Sequence, residues 1–291
     1  MIKLQKSPLV RSNTRVKIDK ILHRPRSKWF DVKKILNEKT NSFLKENPHL
    51  KPLHEELSKI NKEQLLSWPA MVYCDGSFYQ GYEKIGVFGV KPVQERLTNY
   101  DSKRYIKSDS NVLDIGSNAG FLACEVASQA GSVTAVEYNP FLNRIGRAAA
   151  EYLSLENISF IDANFENYSA DKTFDCVFSL SNHHTIDGGL NISFDRYIRK
   201  IFDLTKSGAT FFFESHNIWG DDKDLEKKFD ICSKYFLLKR SKMVKAFYKP
   251  DIDKLFAVFE RRESALEDAK CSQFNLAAAS KSYQFIEYDT E

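Results

Sequence analysis

The sequence predicts an α/β fold: a doubly wound, seven-stranded, mostly parallel sheet with an antiparallel edge hairpin and an N-terminal helical extension. Three observations carry this. Apolar runs at 111–115, 132–137, 157–161, 174–180 and 208–214 alternate with helix-length intervals, the pattern of parallel strands joined by crossover helices. Two later runs, 234–240 and 254–261, are joined by a short link and read as an antiparallel pair. Between the first run and its helix lies Gly116-Ser117-Asn118-Ala119-Gly120, a tight turn that lets backbone approach a ligand closely.

The elements follow in chain order. Residues 1–70 form a basic arm and a helical extension, 71–262 the α/β domain, and 263–291 a polar helix and tail. Residues 1–34 hold eleven Lys/Arg against two Asp, a charge of +9 in a chain whose total is +4. Such an arm can contact nucleic acid, anionic glycan or a membrane surface, or lie solvated along the acidic remainder. Between Trp29 and Leu66 two apolar stripes at helical spacing are separated by Pro48 and Pro52, and this region either covers a substrate cleft or wraps the domain. The stretch from Met71 to Leu97 is rich in aromatics and glycine and suits a loop over a cofactor. Within it Gln94 or Arg96 is placed to hold a carboxylate, although an Arg there can equally be a surface ion-pair partner.

Bulk composition narrows the class. With 42% hydrophobic and 13% aromatic residues the chain can bury a substantial core. The five cysteines form no CxxC pair, which points to free thiols in a reducing compartment. No apolar run approaches the roughly 18 residues of a membrane span, so a cytoplasmic protein is expected.

The chemistry-bearing residues sit at predicted strand ends, where ligands of such sheets bind. Asp114 ends the first strand. Glu137 ends the second, where a carboxylate can take both hydroxyls of a ribose. After the third strand Asp162 can accept from an adenine amino group while the Ala163 N–H serves its ring nitrogen, or Asp162 caps a short turn. The fourth strand runs through Ser179 into Asn182, His183 and His184; one histidine of that pair can act as a general base. The fifth ends in Glu214, with His216 beyond it. These two complete an acid/base set with the histidine pair, form a metal site with it, or cap the next helix.

With these positions in place, residues 85–262 resemble the class I S-adenosylmethionine-dependent methyltransferases. The likeness rests on Asp114-x-Gly116-x-Asn118-x-Gly120, Glu137, Asp162, the segment from Ser179 to His184, Ser207-Gly208 and Glu214-Ser215; Asn118 departs from the glycine of the pattern. A dinucleotide fingerprint begins with glycine and has no acid at the strand end, because that acid would repel a pyrophosphate. The resemblance implies S-adenosylmethionine as cofactor, held by Gln94, Arg96, Asp114, Gly116, Asn118, Gly120, Glu137, Asp162, Ala163 and Ser179. It implies no resident metal, and catalysis by His183, His184, His216 and Glu214. Gly86 to Arg96 and the pattern ending in Glu214 look similar to methyltransferases of surface-polysaccharide clusters and to wobble-uridine tRNA carboxymethyltransferase-like enzymes. A small-molecule or glycan acceptor is therefore expected, or a tRNA engaged through the basic arm.

Overall fold

The structure is a computed structural model, and it describes residues 26–70, 72, 77–183, 191–246 and 249–289. The chain opens with α1 (Arg26–Glu46) and α2 (Lys51–Ser67), joined by a short turn at Pro48–Leu50. Pro52 lies in the first turn of α2, where its missing N–H costs no helical bond, and Pro69 follows the helix end. Leu53, Leu57 and Ile60 recur at helical spacing and are buried where α2 packs on α5 (Pro140–Tyr152).

A two-residue parallel pair comes next, β1 (Gln80–Gly81) with β2 (Lys91–Pro92), followed by α3 (Val93–Asn99). Gly89 belongs there for a steric reason: a Cβ would lie 2.3 Å from the Gln80 carbonyl.

The main sheet takes its parallel part from β3 (Asn111–Ile115), β4 (Ser132–Glu137), β5 (Ile158–Asp162), β6 (Phe174–Leu180) and β7 (Thr205–Glu214). To these it adds β8 (Phe236–Ala246), β9 (Lys249–Arg261) and β10 (Ile286–Glu287), in the order β10-β8-β9-β7-β6-β3-β4-β5. The remaining helices are α4 (Phe121–Ala127), α6 (Phe194–Asp203), α7 (Leu225–Ser233) and α8 (Leu276–Ala279).

All seven predicted strands form, and two features go beyond the expectation. The hairpin does not simply follow β7 at the edge: β9 inserts antiparallel between β7 and β8. The tail supplies an eighth strand, β10, paired antiparallel with β8.

The sheet is covered on both faces, so its strands alternate between two cores. Val112, Phe178 and Phe212 pack with Leu57 and Phe121 on one side, while Leu113, Val177, Phe211 and Phe213 pack with Tyr197 and Phe229 on the other. Strand order reverses at β3, which has β4 on one side and β6 on the other. The carboxyl ends of β3 and β6 therefore flank the crevice that such a reversal opens.

Among the described residues no helix is long and apolar enough to cross a membrane. Cys124, Cys176 and Cys232 are buried free thiols and Cys271 is a half-buried one. Cys74 lies outside the described residues.

Candidate active site

The turn after β3 is held open by its backbone. Gly116, Asn118 and Gly120 all lie in the left-handed region, at φ +64°, +54° and +70°. That region costs an ordinary residue about 1–2 kcal/mol, with Asn among the residues that visit it. Asn118 thus adopts a conformation that glycine takes at little cost. At Gly116 a Cβ would also come within 2.9 Å of Asn182.

Two side chains fix the turn. Glu137 accepts the Asn118 N–H at Oε2 and the Asn139 N–H at Oε1, each at 3.0 Å. From β1, Gln80 donates through Nε2 to the Ser117 carbonyl and accepts the Phe121 N–H at Oε1, again at 3.0 Å.

Asp114 lies beneath the turn, 4% exposed, and its Oδ2 has no hydrogen-bond partner. Burial pushes its carboxyl up to about 7; the Arg96 charge works against that rise and Glu137 adds to it. Ser117 Oγ and both amide atoms of Gln94 are also buried without partners. Buried polar atoms are nearly always satisfied. A ligand that carries positive charge together with hydrogen-bonding groups would complete this set, and a cationic nucleoside donor fits it.

The third acid sits beside the second: Asp162 pairs in register with Glu137 across β5 and β4. Its Oδ1 accepts from Asn143 Nδ2 at 2.7 Å and from Arg147 Nη2 at 3.0 Å, and the side chain stays half-exposed. Two neighbours differ from expectation. The Ala163 N–H, expected to meet an adenine nitrogen, donates to the Glu137 carbonyl at 3.2 Å. Ser179 is fully enclosed, and its hydroxyl is shared between Asn182 Oδ1 at 2.6 Å and the Tyr197 hydroxyl at 2.7 Å. Ser179 thereby supports Asn182, which donates to the Ile115 carbonyl at the root of the turn.

The expected acid/base set divides into two clusters. Glu214 faces cations: Arg96 Nη2 lies 3.1 Å, Lys91 Nζ 3.2 Å and Lys254 Nζ 3.2 Å from its Oε1. It also accepts from the hydroxyls of Tyr100 and Ser181. Burial alone would raise the Glu214 carboxyl, but the three cations hold it well below the usual carboxylate range, so it stays ionised rather than acting as an acid. Arg96 is accordingly a buried ion-pair partner, not a surface one.

His183 belongs to the second cluster. Its side chain is fully enclosed and its Nε2 lies 3.1 Å from both Asp222 carboxylate oxygens. Asp222 also takes Lys228 and the His216 N–H. The His183 ring packs against Phe213 and His216, with centroids 4.8 and 5.1 Å apart. His183 is thus enclosed and faces Asp222. His184 lies outside the described residues. Among the described residues no group of three or more His, Cys, Asp or Glu is arranged to hold a metal.

Comparison with known proteins gives the family. Residues 106–275 match the family model described as "Methyltransferase domain". The chain belongs to this family. No curated protein sequence matches the methyltransferase. Among solved structures it is similar to a protein from Listeria monocytogenes described as a "putative class i s-adenosylmethionine-dependent methyltransferase", at 13% identity and a TM-score of 0.50, over 62% of this chain and 63% of that one. It is also similar to the N-methyltransferase NodS from Bradyrhizobium japonicum in complex with S-adenosyl-L-homocysteine, at 18% identity and a TM-score of 0.47, over 59% of this chain and 86% of that one. These likenesses are of fold alone.

Several residues of the methyltransferase site lie outside the sequence expectation. Lys91, Tyr100, Asp222 and Lys254 each contact a predicted residue, and Gln80 holds Ser117 and Phe121 of the turn. Gln80 and Lys91 fall within the aromatic and glycine-rich stretch already singled out for a cofactor loop, so a signal existed for them. Lys254 and Asp222 reach the site through tertiary packing alone.

Proposed function

We propose that the protein transfers a methyl group from S-adenosylmethionine to an oxygen or nitrogen of a sugar or other small polar acceptor, with surface glycan synthesis as its setting and the cytoplasm as its compartment. The observation that carries this reading is the buried Asp114 carboxyl, with an open Oδ2, beneath a turn of three left-handed residues. A site that strips a carboxylate of water without giving it a partner is one that binds a cation.

When bound, S-adenosylmethionine supplies an already activated sulfonium methyl. Around it Asp114 balances the positive charge. Glu137 takes the ribose hydroxyls, since each of its oxygens can accept a second hydrogen bond beside the backbone N–H it already holds. Asp162 lines the base end. Gln94, with both amide atoms unpartnered, is placed for the amino-acid end ahead of Arg96, which is committed to Glu214. His216, half-buried and steadied by the His183–Asp222 pair, takes the proton from the acceptor. Alignment of acceptor and methyl supplies most of the rate.

Isothermal titration with S-adenosylmethionine, S-adenosylhomocysteine and NADH tests the donor, and labelled-methyl transfer onto glycan acceptors tests the acceptor. Binding of NADH alone would overturn the reading. A tRNA acceptor is supported by the +9 charge of residues 1–34, of which 1–25 lie outside the described residues. Salt-sensitive tRNA binding lost on deleting 1–34 would favour that acceptor.

A further inference from the structure

Beyond the carboxyl end of β7 lies a cavity of about 380 Å³, bounded by α3 and by β8 and β9. It is within the size range of small-molecule sites, roughly 300–1,000 Å³. Five cations line it: Lys91, Arg96, Lys242, Lys245 and Lys254. Against them stand only the carboxylates of Glu95 and Glu214.

The imbalance is greatest at the floor, where charge is hardest to leave uncompensated. Lys91, Arg96 and Glu214 are each under 5% exposed and Lys254 is 9% exposed, so three cations share one buried carboxylate. Burial lowers Lys91 to about 8; Glu214 opposes that fall and Arg96 adds to it. Towards the mouth, Lys242 donates to the Asn99 carbonyl at 3.0 Å and Lys245 lies over the Tyr283 ring at 5.2 Å. Neither has an ion-pair partner among the described residues. Arg96, on the cavity floor, bears electrostatically on both Glu214 and Asp114.

We propose that this cavity is the acceptor subsite of the methyltransferase and that it receives an anionic group, a carboxylate or a phosphate carried on a sugar-sized molecule. A neutral sugar would leave the buried cations as they are, whereas one anion among Lys91, Arg96 and Lys254 brings the floor close to neutrality. The proposal rests on the methyltransferase reading for its chemistry, but the binding it asserts is measurable without turnover.

The test titrates the full-length protein, with and without S-adenosylhomocysteine, with three probes: glucuronate, glucose 6-phosphate and glucose. At least one of the two acids should bind tenfold or more tightly than glucose, and which acid does so separates carboxylate from phosphate. That preference should weaken with added salt. It should also fall at least tenfold in Lys242→Ala/Lys245→Ala, whose side chains lie outside the Glu214 cluster, and in Lys254→Gln. Failure of both acids to bind, binding equal to that of glucose, or full retention of the preference in the double variant would overturn the proposal. Failure of S-adenosylhomocysteine to bind would instead strike the donor reading, whatever the acids do.

Discussion

Donor binding should depend on pH through one carboxyl. Asp114 is buried, its Oδ2 lacks a partner, and its carboxyl is raised to about 7. In the free protein about one-tenth of the molecules then carry it ionised at pH 6 and about nine-tenths at pH 8. A cationic donor requires the ionised form. Its affinity should therefore rise about tenfold, or about 1.4 kcal/mol, from pH 6 to pH 8, with close to one proton released per donor bound near pH 6. Calorimetric titration with S-adenosylmethionine in buffers of different ionisation enthalpy measures both quantities. Asp114→Asn serves as the control: it should bind weakly and without that slope, and any titration of the ligand itself remains in both proteins. A pH-independent affinity in the native protein, or an identical slope in the variant, would refute the reasoning. The stability linkage has the opposite sense. Because the folded pKa lies above the unfolded one, the free protein binds the extra proton and loses stability as pH rises from about 4 to about 7, and the donor restores it.

Two further outcomes follow from the site geometry. Glu214→Gln leaves Lys91, Arg96 and Lys254 buried without their counter-charge and should cost about 3–5 kcal/mol, read as a lowered urea midpoint, with partial recovery when Lys254→Met is added. Since the Glu214 carboxyl is held low, its contribution is present above the ordinary carboxylate range and disappears as pH falls through the depressed value. At the turn, Asn118→Gly should leave the melting temperature nearly unchanged, whereas Asn118→Val should lose about 1–2 kcal/mol because a branched side chain resists φ +54°.

The parallel core was legible because each strand announces itself locally. Val112-Leu113 and Phe211-Phe212-Phe213 are apolar on both faces, the acids at 137 and 162 close their own strands, and Asp114 stands one residue from the end of its strand. The place of β9 was not legible. Whether residues 254–261 join the edge or slot beside β7 is decided by pairing between Phe211 and Phe259 or Phe213 and Ala257, and no local pattern records that choice. The surroundings of His183 were hidden for a related reason. A His at a strand end reads as chemistry, yet the partner that encloses His183 is Asp222, on a loop reached only by folding. Asn118 shows the converse: a departure in sequence whose residue still takes a left-handed backbone.

The insertion of β9 has a consequence for biosynthesis. As the chain leaves the ribosome, β7 emerges with one whole edge open, and the segment that closes it is made some forty residues later, after α7 and β8. Until then a phenylalanine-rich strand offers its backbone to any neighbour, the exposure that chaperones intercept. Lys254 arrives with that closing segment, so the basic cavity is among the last parts of the molecule to be assembled, and a truncated nascent chain would bear the donor turn without it.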